Sequence, residues 1–460
     1  MKRLNVSSRI LSATLGLAAS SAQASVVAII DSGIDVRHKD LAPQIWINPE
    51  DSDYDGVDND SNGLRDDIHG WNFIDNNNQL IDYKYAGVYV PEIGLFFDRQ
   101  GKTILGTASE EDISWMRAKI GEKDFVKSLM TYGNYAHGTH VTGIVSRLAP
   151  EAKALGIKLI PTENPLAGLM DKVAQAREEG KDLNVIVKEV IKFGLTLVAK
   201  AQGMVFGEIG KYLEIQHVDI ANASLGAGPT QIKAMLRPLL KIANGSVDVP
   251  EATLNELTTA MLTAMNNEQE AIVRAASNTL FVFAAGNDGA SNDEFPTAPA
   301  SIDHPNVISV AATFGNGRIA PFSNYGQRVS VAAPGVVIDS TTPNDRHMTM
   351  SGTSQAAPYV AGLAAMIKDT NPDLTAAEIK RIIIATVDKL PELADKVASK
   401  GVVNKSRAQR AAQLSLEKPL AQAIAIAGSE VGPEHIPGDL ATFTDSMVIG
   451  PLFMPSPLAN

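Results

Sequence analysis

Short unbroken apolar runs recur along this chain, separated by longer stretches in which apolar residues return every three or four positions. The first run, Val26-Val27-Ala28-Ile29-Ile30, is rich in β-branched residues and ends at Asp31. That is the pattern of a strand buried on both faces. Runs of the same kind stand at 154–159, 218–223, 280–284, 307–311 and 329–332, and helical periodicity marks 231–243, 253–276 and 354–367. Strands alternating with helices predict an α/β fold in three layers, with a mainly parallel central sheet and helices on both faces. Functional loops of such a sheet lie at the carboxyl ends of its strands.

Two regions lengthen this framework. Residues 76–134 mix apolar and charged positions, and residues 161–216 exceed an ordinary crossover, with amphipathic helix expected over 169–200. Past residue 413 the chain continues as an extension (414–460). Its last part, 431–460, holds several prolines and little periodicity, so that part of the extension is expected to be extended or disordered. A chain of 460 residues is long for one core, yet one large domain with insertions accommodates it.

Composition narrows the function. The net charge of −12 argues against a nucleic-acid partner, which needs a basic face. With no cysteine there are no disulfides, no thiolate metal site and no cysteine nucleophile. Lys2, Arg3 and Arg9, then a modestly apolar centre, then Ala22-Gln23-Ala24, read as a signal peptide over 1–24, and therefore as export. Its centre is too short to span a membrane, and no later stretch is long and apolar enough to do so.

Four motifs carry the chemistry. Asp31-Ser32-Gly33-Ile34-Asp35 puts a carboxylate at a strand end, His137-Gly138-Thr139-His140 offers a base, and Ser351-Gly352-Thr353-Ser354-Gln355-Ala356-Ala357-Pro358 offers a nucleophile at a helix start. Ala284-Ala285-Gly286-Asn287 supplies an amide between the last two. Each has a plainer reading. Ser351 and Thr353 are good helix caps, Asn287-Asp288-Gly289 is good turn chemistry, and Asp35 competes with Asp31 for the carboxylate role. Zinc at the histidine pair lacks the glutamate of His-Glu-x-x-His, and Ala356 breaks the Gly-x-Ser-x-Gly of an α/β-hydrolase.

Together, in the order Asp, His, Ser, the motifs resemble the subtilisin-like serine proteases (subtilases) over roughly residues 25–413. The related sedolisins use Glu and Asp where this chain has His137 and Asn287. The resemblance implies a secreted endopeptidase acting on polypeptides through an acyl-enzyme. Ser354 would be its nucleophile, His137 its base, Asp31 the orienting carboxylate and Asn287 the oxyanion donor, with Asp35 and His140 structural. It also implies substrate contacts at Ser224, Leu225 and Gly226 along an extended segment, and at Ala285 and Gly286 in the primary pocket. Residues 297–300 would form the far wall, and medium or large apolar side chains would be preferred at the scissile position.

The stretch 51–67 is the most acidic, and its hard oxygens around a glycine suit Ca²⁺. The better frame offers Asp58, Asp60, Asn62 and Asp66, against the alternative of a solvated acidic loop. Asp40 matches a calcium ligand of many subtilisins, although the loop that completes that site looks shortened at Leu148-Ala149-Pro150. Secreted members usually carry a propeptide, whereas here the first strand follows the signal almost at once. Either an insertion stabilises the fold, a separate protein assists it, or the true start lies upstream; on the first alternative the insertion 76–134 is expected to pack beside the cleft and take over part of the propeptide's role.

Overall fold

The computed structural model describes residues 24–163, 195–243 and 247–435. Residues 1–23, which hold nearly all of the expected signal peptide, residues 164–194, on which most of the expected 169–200 helix falls, residues 244–246 and the tail beyond residue 435 lie outside the described residues.

The first strand, β1 (Val26–Asp31), is buried throughout, as its apolar run requires. It is followed by β2 (Gly70–Asn72), α1 (Pro91–Leu105), α2 (Glu110–Ile120), α3 (Lys123–Leu148) and β3 (Lys153–Lys158). Next come α4 (Leu195–Ile215), β4 (Ile220–Ala223), α5 (Pro229–Ala243), α6 (Glu251–Ala275), β5 (Leu280–Ala284) and β6 (Val307–Thr313). The chain goes on through β7 (Val331–Pro334), the hairpin β8 (Ile338–Thr342) and β9 (Arg346–Met350), and α7 (Thr353–Thr370). It closes with α8 (Ala376–Ala385), β10 (Asp388–Lys389), β11 (Gly401–Val402), α9 (Lys405–Ser415) and α10 (Leu420–Glu430).

The main sheet runs β10-β11-β7-β6-β5-β4-β1-β3-β2 and is parallel except for the β10–β11 pair. β1 lies between β3 and β4, with Asp31 in register with Lys158. Its alternating side chains feed two cores. Val27 and Ile29 pack with Val141 and Val145 of α3 and Val360 of α7, while Val26, Ala28 and Ile30 meet Ile209 and Leu213 of α4 and Ile272 of α6. The expected three layers are therefore present, and both faces of the sheet are dry.

The predicted strands appear within about two residues of their expected ends. The short β2, the β8–β9 hairpin and the edge pair β10–β11 had no comparable apolar run to announce them. The first insertion is helical and has its own core, in which Phe96, Phe97, Met116, Phe125 and Tyr132 pack with Met348 and Met350 of β9. It thus rests on the strand that leads into the Ser351-Gly352-Thr353-Ser354 segment. The described part of the extension forms α10, which buries Ala423 and Ala427. Beyond it, Glu434 N and His435 N both donate to Asp388 Oδ2, at 2.8 and 3.0 Å.

Candidate active site

Asp31 closes β1, and its side chain is fully buried. Its Oδ1 accepts from Ser32 N at 2.7 Å and meets His137 Nδ1 at 2.7 Å. His137 sits near the middle of α3, which can approach β1 because Gly138 has no side chain. A Cβ there would fall 2.2 Å from Gly33 O. Burial disfavours the imidazolium, but the Asp31 charge and hydrogen bond outweigh it and raise the His137 pKa above its ordinary value.

The competing carboxylate, Asp35, is tied elsewhere. Its Oδ1 accepts from Tyr83 Oη at 2.8 Å and its Oδ2 from Asn344 N at 2.9 Å. His140 is buried, its Nε2 bonded to Met348 O at 2.9 Å. Burial drives its pKa down to about 3, so it remains a neutral packing residue.

Ser354 is the second residue of α7, so its N–H is among the first-turn groups with no intrahelical acceptor. Pro358 lies beyond the first turn of this helix, and it removes the N–H that would bond Ser354 O. Ser224 Oγ fills the gap, donating to Ser354 O at 2.9 Å. In return Ser354 Oγ donates to Ser224 O at 3.3 Å, and that carbonyl rather than His137 is its acceptor among the described residues. Such contacts in a substrate-free site often tighten only when substrate binds.

Asn287 is held by its carbonyl end. Oδ1 accepts from Thr353 N and from Thr353 Oγ1, both at 2.9 Å, which leaves Nδ2 as the donor. Thr353 Oγ1 in turn accepts from Gly286 N at 3.2 Å. Gly286 has φ +111°, and a Cβ would strike Asn324 Nδ2, so glycine is required at this bend. Ala285 is fully buried, and its N–H bonds Val310 O at 3.0 Å. Ser224 and Leu225 follow directly on β4. After Gly226, Ala227 pairs with Ala298 through N–H···O bonds of 2.9 and 3.1 Å, which brings the 224–226 segment beside the 297–300 segment. The Asp293 carboxylate, close in sequence to that wall, accepts from Gln327 N and Arg328 N.

Two residues of this network have a role that the sequence did not indicate. Thr353 looked like a cap only, yet it orients Asn287. Lys158, beside Asp31 in the sheet, is buried and donates from Nζ to Ser32 O at 2.6 Å, with a pKa lowered by burial. Its one available signal was a lysine in an otherwise apolar strand.

In the acidic loop the structure assembles a trio that differs from the four residues expected, Asp58, Asp60, Asn62 and Asp66. Ligand oxygens of Asp51, Asp58 and Asp60 lie within 4.8 Å of one another. Asp66 does not join them, since its Oδ1 accepts from Gly56 N at 2.9 Å. Asn62 turns its amide nitrogen to Asp60 Oδ2 at 2.8 Å. Asp51 is fully buried, and its Oδ1 has no hydrogen-bond partner. Burial raises its pKa. An unpaired buried oxygen beside two further carboxylates fits a hard divalent cation. Asp40, the other calcium candidate, faces His347 Nε2 at 2.9 Å instead.

Sequence comparisons with known proteins agree on the lineage. A model of the subtilase family matches residues 22–409. The thermostable alkaline protease of Halalkalibacterium halodurans is 36% identical over 289 residues, covering 62% of this chain and 60% of that protein. Alkaline elastase YaB of Bacillus sp. is 33% identical over 187 residues, 40% of this chain and 47% of the relative. Subtilisin-like protease 1 of Plasmodium vivax is 24% identical over 83% of this chain and 46% of its own. The chain thus spans roughly half the length of these curated relatives. A solved cold-adapted subtilisin-like serine proteinase aligns with a TM-score of 0.44 at 18% identity, over 83% of this chain and 88% of its own. No described helix is long and apolar enough to cross a membrane. By the family match over most of its length, the chain belongs to the subtilase family.

Proposed function

We propose that this chain is an exported serine endopeptidase whose catalytic residues are Asp31, His137, Ser354 and Asn287. The observation that carries the reading is the 2.7 Å contact between His137 Nδ1 and a fully buried Asp31 in a subtilase chain. An imidazole held by that edge keeps its proton on Nδ1 and offers Nε2 as the base.

In the proposed reaction Ser354 Oγ attacks the scissile carbonyl while His137 Nε2 takes the hydroxyl proton. The carbonyl oxygen becomes an oxyanion, which receives hydrogen bonds from Asn287 Nδ2 and Ser354 N–H. Collapse breaks the C–N bond, and His137 returns its proton to the leaving amine. A water, deprotonated by His137, then cleaves the acyl ester and regenerates Ser354. The buried Asp31 carboxylate stabilises the imidazolium at both stages.

The substrate would lie extended against Ser224, Leu225 and Gly226, with its scissile side chain between Ala285-Gly286 and residues 297–300. Small uncharged residues on both sides favour medium or large apolar side chains there. Calcium is proposed as a structural ion held by Asp51, Asp58 and Asp60, where it would offset the repulsion of three clustered carboxylates.

The test is a fluorophosphonate probe on the purified full chain beside Ser354→Ala. Labelling of the parent that vanishes in the variant supports the assignment. A folded parent that is not labelled overturns it.

A further inference from the structure

A second cluster of metal-ligating side chains lies outside the chemistry described so far. His38, on the loop that follows β1, and Asp40 converge with His347 of β9, the ligand atoms of all three lying within 4.8 Å of one another. His347 Nε2 is 2.9 Å from Asp40 Oδ2. Two ligands on a tetrahedral zinc-class ion stand about 3.3 Å apart, so this edge is already close to a coordination edge.

The ring nitrogens that face away from the cluster are also engaged. His38 Nε2 faces Arg346 O at 3.2 Å, and His347 Nδ1 faces Asp339 Oδ2 at 3.5 Å. A metal-bound histidine typically donates its other N–H to a carbonyl or carboxylate, which fixes the tautomer and the ring orientation. Both imidazoles here have such an acceptor behind them. His38 is fully buried, whereas the side chains of Asp40 and His347 are about half exposed, so an ion could enter and keep water as its remaining ligand. Two contacts are given up, the 3.2 Å bond from Asp40 N to His38 Nδ1 and the 2.9 Å bond between His347 Nε2 and Asp40 Oδ2, whose two atoms the ion would bridge instead.

We propose that His38 Nδ1, Asp40 and His347 Nε2 bind a divalent transition-metal ion of the zinc class. Two imidazoles and one carboxylate select such an ion over calcium, which takes oxygen ligands only. The ion would join the segment that leaves Asp31 to the strand that enters the Ser354 motif, and so act as a staple rather than in the reaction itself. The same two segments are already joined by Lys39 N donating to Asp345 Oδ1 at 2.8 Å.

The experiment is calorimetric titration of the metal-free full chain with Zn²⁺ in saturating Ca²⁺, repeated with Co²⁺ and followed by its visible absorption. His347→Ala and Asp40→Asn are run alongside. The expected result is saturable uptake of one ion and a raised melting temperature, with affinity at least about tenfold weaker in both variants. Labelling of Ser354 should match the parent in both, and any metal-free loss of melting temperature from breaking the His347–Asp40 contact is subtracted before the metal-induced rise is compared. Absence of saturable uptake, or uptake of equal affinity in His347→Ala, overturns the proposal.

Discussion

Ser224 and Ser354 exchange hydrogen bonds. Ser224 Oγ donates to Ser354 O at 2.9 Å, and Ser354 Oγ donates to Ser224 O at 3.3 Å. The first bond exists because Pro358 has no N–H to give to that carbonyl. Ser224→Ala should therefore lower stability by about 1–2 kcal/mol, the usual cost of leaving a buried acceptor unpaired. Adding Pro358→Ala restores a donor, so the double variant should melt above Ser224→Ala in thermal denaturation. A double variant no more stable than Ser224→Ala would mean the carbonyl is satisfied in another way.

If His137 is the base, as proposed, its raised pKa sets the acid limb of activity. The base must be neutral to accept the Ser354 proton, so kcat/KM should rise with pH through a midpoint above about 6.5, the ordinary histidine value. In Asp31→Asn the burial remains but the charge is gone, so the midpoint should fall below about 6.5. Turnover should drop by about 10⁴, the size seen for the same change in a trypsin-type triad. Equal midpoints in parent and variant would separate Asp31 from the titration.

Asn287→Ala removes the proposed oxyanion donor. Its expected effect, a turnover loss of about 10²–10³ with KM little changed, is a magnitude taken over from a subtilisin. A prediction particular to this network concerns Thr353→Val. It keeps the size of the side chain but frees the Asn287 amide from one of its two anchors, so turnover should fall without loss of fluorophosphonate affinity. Steady-state kinetics on a peptide substrate distinguish these outcomes from loss of folded protein seen by circular dichroism.

Calcium and Asp51 should be coupled with opposite signs. Burial raises the Asp51 pKa, so its ionised form destabilises the ion-free fold above that pKa, and the destabilisation is relieved as pH falls. In chelator at neutral pH, Asp51→Asn should melt above the parent. With calcium at a hundred times its Kd the parent should gain about 2.7 kcal/mol, and the order should reverse. The same ranking with and without calcium would remove Asp51 from the site.

Much of the architecture was legible in the chain because a doubly covered sheet leaves a local trace. Strand β1 as far as Ile30, and all of Leu280–Ala284, must be apolar, and no distant contact is needed to see it. The two-residue strands Asp388–Lys389, at the sheet edge, and Gly401–Val402, next to it, are too short to leave such a trace, and they pair only because the fold brings them together. The 76–134 insertion was visible as extra length. Its packing on Met348 and Met350 was not, since that contact joins segments more than two hundred residues apart.

For the candidate site, the sequence alone determined which residue types were available and in what order, because the motifs around Asp31, His137, Asn287 and Ser354 are each local strings. Tertiary structure decided the rest. It separated Asp31 from Asp35 by giving the latter to Tyr83 and Asn344, and it set Thr353 behind Asn287 and Ser224 against Ser354. It also exchanged Asp66 for Asp51 in the acidic cluster, and it drew His347 to Asp40 across the loop and hairpin. The reason is physical. A local pattern reports what one segment must bury, whereas hydrogen-bond partners and clustered charges depend on distances between segments, which exist only after the sheet and its crossovers have closed.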